Sequence, residues 1–559
     1  MKEDRDTPDS RTWFSPSEAA LHSLFDNMTD GQRPFILLSL WCLLLYATTI
    51  AALPPMDRDE ARFAQASAQM LETGDYVRIR FQDKARNKKP AGIYWLQAAS
   101  VSLLSSETAR EIWAYRVPSA LGAWIATLLT FAIGARLFER RTALLGALSL
   151  GGCMMLFVEA HLAKTDAVLL ATIVGAQWAL ARIYLGTRDG SRPPALWAFW
   201  LWLALGLGFL IKGPVPMMVV ALTAATLSIA DRDGKWLKGL YPVWGVPLML
   251  LIVLPWFVLA GQAFIADAVG KDLLPKLMSG QESHGAPPGY YLLLMTVFLF
   301  PASLYVWPAL FRSWKVRLHP GIRFCLAWLI PAWIVFELIP TKLPHYVLPM
   351  YPALALLTAR AALNRDLRDW GTKIGMMVWA LVPVALGVAA LALPVIYGDG
   401  FDLLMLIPAM IAVALLIVVL PRAWRGDSPV AMNQAMGLGV LLLITVVGLA
   451  LPSLESFKGS VRVAEALPDN HGPLATAGYH EPSLVFLAGT DTKLVDGGSA
   501  AAHLLDGHGP AVVNDREQAA FDQAVGESKI APDRVVRAFN YSRGRWELLS
   551  LYLPKGGQP

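Results

Sequence analysis

The chain carries about thirteen separate runs of roughly 20 apolar residues, and no other property narrows its possible folds so much. A helix needs a run of this length to cross the hydrocarbon core of a bilayer, where every backbone polar group must be satisfied within the helix. The runs are centred near Leu43, Ala126, Leu150, Ile173, Leu203, Leu222, Leu251, Val297, Leu329, Pro352, Leu386, Ile411 and Leu442. Charged residues make up only 16% of the 559, against roughly a quarter in a soluble domain. The sequence therefore predicts an α-helical polytopic membrane protein and excludes a string of soluble domains. Cys42, Cys153 and Cys325 all lie inside apolar runs, which argues against a disulfide framework or a zinc knuckle. About thirty polar residues precede the first run, so it is expected to stay as an anchor and not to be removed as a signal peptide.

Orientation follows from where the bases fall. With the N-terminus inside, the inner loops hold Arg136, Arg140 and Arg141, then Arg182, Arg188 and Arg192, then Arg232, Lys235 and Lys238, and further sets at Arg312 to Arg323, Arg360 to Lys373, and Arg422 with Arg425. The outer loops are poor in base, with Lys164, Lys212, Lys271, Lys276 and Lys342. One outer loop breaks the pattern. Between Pro54 and the second run lie Arg58, Arg62, Arg78, Arg80, Lys84, Arg86, Lys88 and Lys89, interleaved with Asp57, Asp59, Glu60 and Asp83. Long loops can escape the bias, but mixed charges of this kind fit an anion site at the outer face.

These features divide the chain into an inner N-terminal tail (1–33), a membrane domain (34–455) whose first outer loop (54–110) holds the chemistry, and a small soluble domain of α/β or α+β type (456–559) on the outer side. In the last, strand-like runs are expected at 473–477, 484–488, 511–513, 535–539 and 546–552, with a helix at 516–525. His480, His503 and His508 read as solvated loop histidines there. In the first outer loop, the spacing of Phe63, Ala66, Met70 and Leu71 before Gly74 predicts an amphipathic helix over 60–73 lying in the membrane interface. Asp59 and Glu60 at its start can cap free N–H groups. As a pair beside a basic cluster, they can also orient or deprotonate an acceptor while Arg and Lys hold a departing phosphate. The bases before Tyr94 and Trp95 fit either a plain headgroup anchor or a lipid-phosphate site.

Three segments carry a resemblance: Asp59-Glu60-Ala61-Arg62-Phe63-Ala64, the Lys89-Pro90 step, and Lys342-Leu343-Pro344-His345-Tyr346-Val347-Leu348-Pro349. In this order and on this side they resemble bacterial membrane glycosyltransferases of the GT-C class, the lipid A aminoarabinose transferases in particular, within the wider protein O-mannosyltransferase-like superfamily. The resemblance implies a monosaccharide donor linked to a polyprenyl phosphate of undecaprenyl type. It also implies an active site facing the periplasm from the inner membrane, and a lipid A or lipopolysaccharide core acceptor. A protein hydroxyl is the alternative acceptor, and a lipid-linked sugar flippase the alternative class. Nucleic acid is not an implied partner.

By the same resemblance Asp59 is the catalytic aspartate, with Glu60 beside it and Asp166 as a second acidic position. Asp166 can equally be a helix cap. Arg62 and Lys89 match positions expected to contact the donor phosphate, and Arg86, Lys88, Lys342 and Tyr346 are further candidates. A phosphate monoester leaving group needs no divalent clamp, so bases can replace a metal and no cofactor is required. His284 and His345 are nonetheless a candidate pair for a divalent ion such as zinc. The chain departs from the family at Lys88, where the aminoarabinose transferases carry an acid before Lys-Pro. A lysine there would repel a cationic amino sugar, which points to a neutral or acidic sugar.

Overall fold

In a computed structural model of the chain, the residues described are 28–554, apart from 107, 274, 276–284, 364–366, 368 and 527–529. Most of the N-terminal tail, and His284, lie outside them. Among the described residues, eight helices are long and apolar enough to cross a membrane: Ile112–Leu137, Asp166–Arg188, Ala195–Lys212, Pro242–Ala268, Pro320–Leu338, Trp370–Tyr397, Leu403–Trp424 and Ser428–Ala450. A ninth span arises if Arg140–Gly151 and Met154–Ala160, bent by 55°, are counted together.

Among the described residues fewer helices than the thirteen expected runs reach this length, and proline accounts for two of the differences. The run at Val297 is cut into Tyr290–Phe298 and Val306–Lys315 around Pro301, and the run at Pro352 into a 3-10 turn, Pro344–Met350, and a short helix, Tyr351–Ala362. Proline lacks the N–H that continues a helix, and its ring clashes with the preceding turn. Tyr351–Ala362 is apolar because it is packed inside the protein: all its residues except Arg360 are buried. Its neighbours make room with glycine, since a Cβ at Gly134 or Gly146 would come within 2.6 Å or 2.7 Å of Leu356. The runs at Leu43 and Leu222 form the shorter helices Arg33–Ala47 and Val215–Asp231.

Charge is sorted to the two ends of this bundle. At one end Asp231 binds both Arg188 and Arg323, which ties three helices together. At the other, Asp59, Lys164, Asp166, Lys212 and His345 lie at or just beyond helix ends.

The first loop differs from the interfacial helix expected of it. The helix Asp59–Thr73 is buried along most of its length, including Phe63, Gln65, Ala66, Ser67 and Met70. Ser67 Oγ donates to Gln97 Oε1 at 2.7 Å, and the Phe63 and Tyr94 rings lie 5.3 Å apart, which fixes it to the helix Gly92–Leu104. Its polar residues are satisfied by protein, with Gln65 Nε2 donating to Thr490 Oγ1 at 2.7 Å. A small hairpin follows, β1 (Arg80–Phe81) with β2 (Lys84–Ala85).

The last hundred residues fold around a five-stranded mixed sheet. Its strands are β3 (Ala475–Ala477), β4 (Lys493–Val495), β5 (Ala511–Asn514), β6 (Arg534–Asn540) and β7 (Arg545–Tyr552), in the order β4-β3-β5-β7-β6. The pairs β4/β3 and β3/β5 are parallel, and β5/β7 and β7/β6 antiparallel. The expected strand at 484–488 is the helix Pro482–Ala488, with proline in its first turn, where a missing N–H costs nothing.

This domain docks on the start of the first loop. Tyr541 Oη accepts from Asp57 N at 2.6 Å, and Ser483 N donates to Asp57 Oδ1 at 2.9 Å. Burial, and then the neighbouring Glu481, push the Asp57 carboxyl up to about 7. Between roughly pH 4 and 7 the folded protein therefore keeps a proton that the unfolded chain has released, so stability falls as pH rises through that window. An Asp57→Asn variant should match wild type near pH 4 and exceed it in thermal stability at pH 8, as read by unfolding in detergent across that range.

Candidate active site

The start of the first-loop helix and three later helix ends bring their charged residues into one cluster. Asp59 is the first residue of its helix and follows Arg58, whose φ of 68° turns the chain sharply. The Asp59 side chain is exposed yet walled by protein, as expected of a group on the floor of an open recess. Burial alone would raise its pKa, but Lys164, Arg86 and Arg62 outweigh that and hold the carboxyl below the usual range.

Around it stands a tighter cluster. Lys164 Nζ lies 3.1 Å from Glu159 Oε1, and Lys212 Nζ donates to Asp166 Oδ1. His345 sits between the two acids, Nδ1 3.5 Å from Glu159 and Nε2 3.8 Å from Asp166. Burial lowers the imidazole to about 3, against the pull of Asp166 and helped by Lys164 and Lys212, so His345 is neutral at ordinary pH. Lys164 stays firmly charged, because Glu159, Asp166 and Asp59 overcome its burial. Four bases, Arg62, Arg86, Lys164 and Lys212, thus accompany three acids, Asp59, Glu159 and Asp166. A recess of that balance accepts an added anion.

The two adjacent acids of the loop have different surroundings. Glu60 is only 2% exposed, and both its oxygens are occupied. Oε1 accepts from Arg116 Nε at 2.8 Å and Ala163 N at 2.8 Å, and Oε2 from Arg116 Nη2 at 2.9 Å and Met56 N at 2.8 Å. Such a carboxylate has no lone pair to spare for an acceptor, which replaces the catalytic expectation for Glu60 with a clamp.

The basic candidates separate too. Arg86 is buried, stacked 5.0 Å over the Phe63 ring, with Nε 3.4 Å from Tyr94 Oη. Lys88 is exposed and Lys89 half-buried, its Nζ 3.1 Å from the Lys88 carbonyl. Lys342 is buried and donates to the Ile339 carbonyl at 2.7 Å, closing the end of Pro320–Leu338. Tyr346 joins the cluster through its ring face, 5.3 Å from Lys212 Nζ.

Among the described residues no group of three His, Cys, Asp or Glu side chains is placed to hold a metal ion. The zinc expectation for His345 gains no support: the carboxylates beside it are already paired, Glu159 with Lys164 and Asp166 with Lys212.

Sequence reasoning did not assign Glu159, Lys164, Lys212 or Arg116 to the site. The signal for the two lysines was present, because each is a lone base beside an apolar run in an outer loop otherwise poor in base, where an ionisable group is costly without a purpose.

The chain is similar to several known membrane proteins. Residues 88–258 match the family model described as dolichyl-phosphate-mannose-protein mannosyltransferase. An undecaprenyl phosphate-alpha-4-amino-4-deoxy-L-arabinose arabinosyl transferase of Pseudomonas paraeruginosa is 29% identical over 388 residues, 66% of this chain and 68% of that protein. Crystal structures of ArnT from Cupriavidus metallidurans superpose with a TM-score of 0.70 at 20% identity. The apo form covers 97% of this chain, the form bound to undecaprenyl phosphate 95%, and each is itself covered in full. The chain is thus similar to membrane glycosyltransferases that use polyprenyl phosphate sugars, the aminoarabinose transferases among them.

The paired cluster is held together by buried ion pairs, and their contribution to stability is testable. Removing one member of a buried ion pair leaves the other charge uncompensated, at a cost of about 3–5 kcal/mol. Lys212→Met should lower stability by about that amount. The double variant Lys212→Met/Asp166→Leu should recover most of the loss, as measured by thermal unfolding in detergent.

Proposed function

We propose that the chain transfers a monosaccharide from a polyprenyl phosphate of undecaprenyl type to a lipid A phosphate. The transfer takes place on the periplasmic face of the bacterial inner membrane. The outer position of the recess rests on the distribution of bases among the loops. The donor class is supported by the relatives' names and by the basic recess.

In the reaction, an acceptor oxygen attacks the anomeric carbon as the bond from that carbon to the phosphate oxygen breaks. The electron pair of the broken bond leaves with the lipid phosphate, which gains negative charge. Arg62 and Arg86 stabilise that charge in this reading, supported for Arg86 by the stacking of its guanidinium on Phe63. Lys88 and Lys89 add further positive charge to the same loop, and Lys164 and Lys212 keep the neighbouring acids neutralised.

The observation that carries the choice of acceptor is the setting of Asp59, with Lys164, Arg86 and Arg62 near its carboxyl. A carboxylate held below the usual range by three cations is a weak base, poorly matched to removing a proton from a hydroxyl near neutral pH. A phosphate oxygen is already anionic and needs no base. Asp59 then orients the reacting groups and balances the bases, and the protein-hydroxyl acceptor suggested by the matched family description is the weaker reading. Glu60 acts through Arg116 as a positioning residue, and Lys88 favours a neutral or acidic sugar over a cationic one.

The purified protein in detergent, given lipid A and undecaprenyl phosphate carrying a hexose, a uronic acid or aminoarabinose, should glycosylate lipid A phosphate, with product mass as the readout. Exclusive use of the aminoarabinose donor would reject the sugar assignment, and transfer only to a peptide would reject the acceptor. Asp59→Asn should lower kcat by about 10²–10³ while leaving the fold intact. An Asp59→Asn enzyme that turns over at the wild-type rate would remove Asp59 from the chemistry.

A further inference from the structure

The residue before Asp59 sits in a backbone conformation that its own sequence does not favour. Arg58, with φ 68° and ψ −99°, lies where L side chains are rarely found, and such a turn persists only when its surroundings over-determine it. Downstream the helix is held by Glu60, which takes Met56 N and Arg116. Upstream the holding groups come from the C-terminal domain. The Tyr541 hydroxyl accepts from Asp57 N at 2.6 Å, Ser483 N donates to Asp57 Oδ1 at 2.9 Å, and Arg58 Nη2 donates to the Ser542 carbonyl.

The tip that presents Tyr541 is itself stiff. Tyr541 and Ser542 lie in the turn between β6 and β7, the Tyr541 ring packs 5.5 Å from Phe457, and Arg543 N donates to Asn540 Oδ1 at 3.2 Å. Asn540 Nδ2 in turn donates to Glu481 at 2.9 Å. Docking of the domain as a whole does not depend on this tip. Arg110 Nη1 donates to the Phe486 carbonyl at 2.7 Å, and Gln65 and Gln82 bond Thr490. Among the described residues two separate sets of contacts join the domain to the loop, and one of them lies against the turn before Asp59.

We propose that Tyr541 is a positioning residue for the transfer reaction: its hydroxyl fixes the Asp57 amide, locks the Arg58 turn and so aims the Asp59 carboxylate at the bases of the recess. This gives the C-terminal domain a part in the chemistry, and it rests on the reading of Asp59 as the group acting at the donor. Tyr541→Phe is the informative change, since it keeps the ring against Phe457 and removes only the acceptor for Asp57 N–H.

Two measurements on the full-length protein in detergent test it. By hydrogen exchange, Tyr541→Phe should speed exchange of the 56–62 backbone about tenfold, the effect of losing one hydrogen bond, and leave segment 486–492 unchanged. In turnover with an undecaprenyl-phosphate sugar and lipid A, the same variant should lower kcat about tenfold with donor KM within twofold. It should cost nothing further in an Asp59→Asn background. Unchanged exchange at 56–62, or an equal fall in kcat in both backgrounds, overturns the proposal. A wild-type protein that transfers no sugar would sink the proposed reaction instead, and the exchange measurement would still decide whether Tyr541 holds the turn.

Discussion

The ion pair between Glu60 and Arg116 is the point on which the rest of the site depends. Arg116 is fully buried, and its five N–H donors are all used: two on Glu60 and three on the carbonyls of Ile50, Leu53 and Pro54. Glu60 reaches further, to Met56 N and Ala163 N. One pair of side chains thereby joins the end of the first helix, the start of the loop helix, the span Ile112–Leu137 and the turn that leads to Lys164 and Asp166. Burying two charges is expensive, and the cost is offset here because every donor and lone pair has a partner. Such a pair adds little net stability compared with apolar packing, but it admits one geometry.

That geometry sets the chemistry by deciding which charges remain open. In the interior cluster each acid has its own lysine, so Glu159 and Asp166 serve chiefly to keep Lys164 and Lys212 in place. His345 fills the gap between the acids as a neutral ring. Asp59 has cations near it without being bound to one of them, which leaves it low in basicity and accessible. A site built in this way is suited to receiving and releasing a phosphate, since bases whose charge is largely balanced bind an anion without trapping it.

Much of this was legible in the sequence, and what was not has physical causes. Apolar run length finds segments that avoid water, but it does not distinguish a helix facing lipid from one enclosed by other helices. The run at Pro352 is such a case: Tyr351–Ala362 is enclosed by other helices, and Pro344, Pro349 and Pro352 mark where its regular helix stops. The loop helix was read as interfacial because its apolar spacing is amphipathic, whereas its polar residues Gln65, Ser67 and Gln69 find partners in protein. Asp59 and the neighbouring bases stood out because their charge broke the topological pattern. Lys164 and Lys212 fit the pattern as lone outer bases, and their convergence with His345 is a property of the folded chain. The clamp role of Glu60 needed Arg116, which sits 56 positions away and reads in sequence as an ordinary base at the start of a span.

Asp59 and Glu60 also show how little local sequence separates a fully bonded acid from an open one. Neighbouring positions on a helix point about 100° apart, so once one of them faces the protein the next faces elsewhere. Which of the two turns inward depends on where the helix begins, and that is fixed outside the helix, at the left-handed Arg58 and its contacts. If the helix began one residue earlier, Asp59 would face Arg116, and if it began one residue later, Glu60 would take the open position; either shift would undo the clamp. The aspartate is one methylene shorter than glutamate and could not span the same set of donors, so the order Asp-Glu is matched to this start. The chemistry of the loop is therefore specified by the backbone turn that precedes it as much as by the acids themselves.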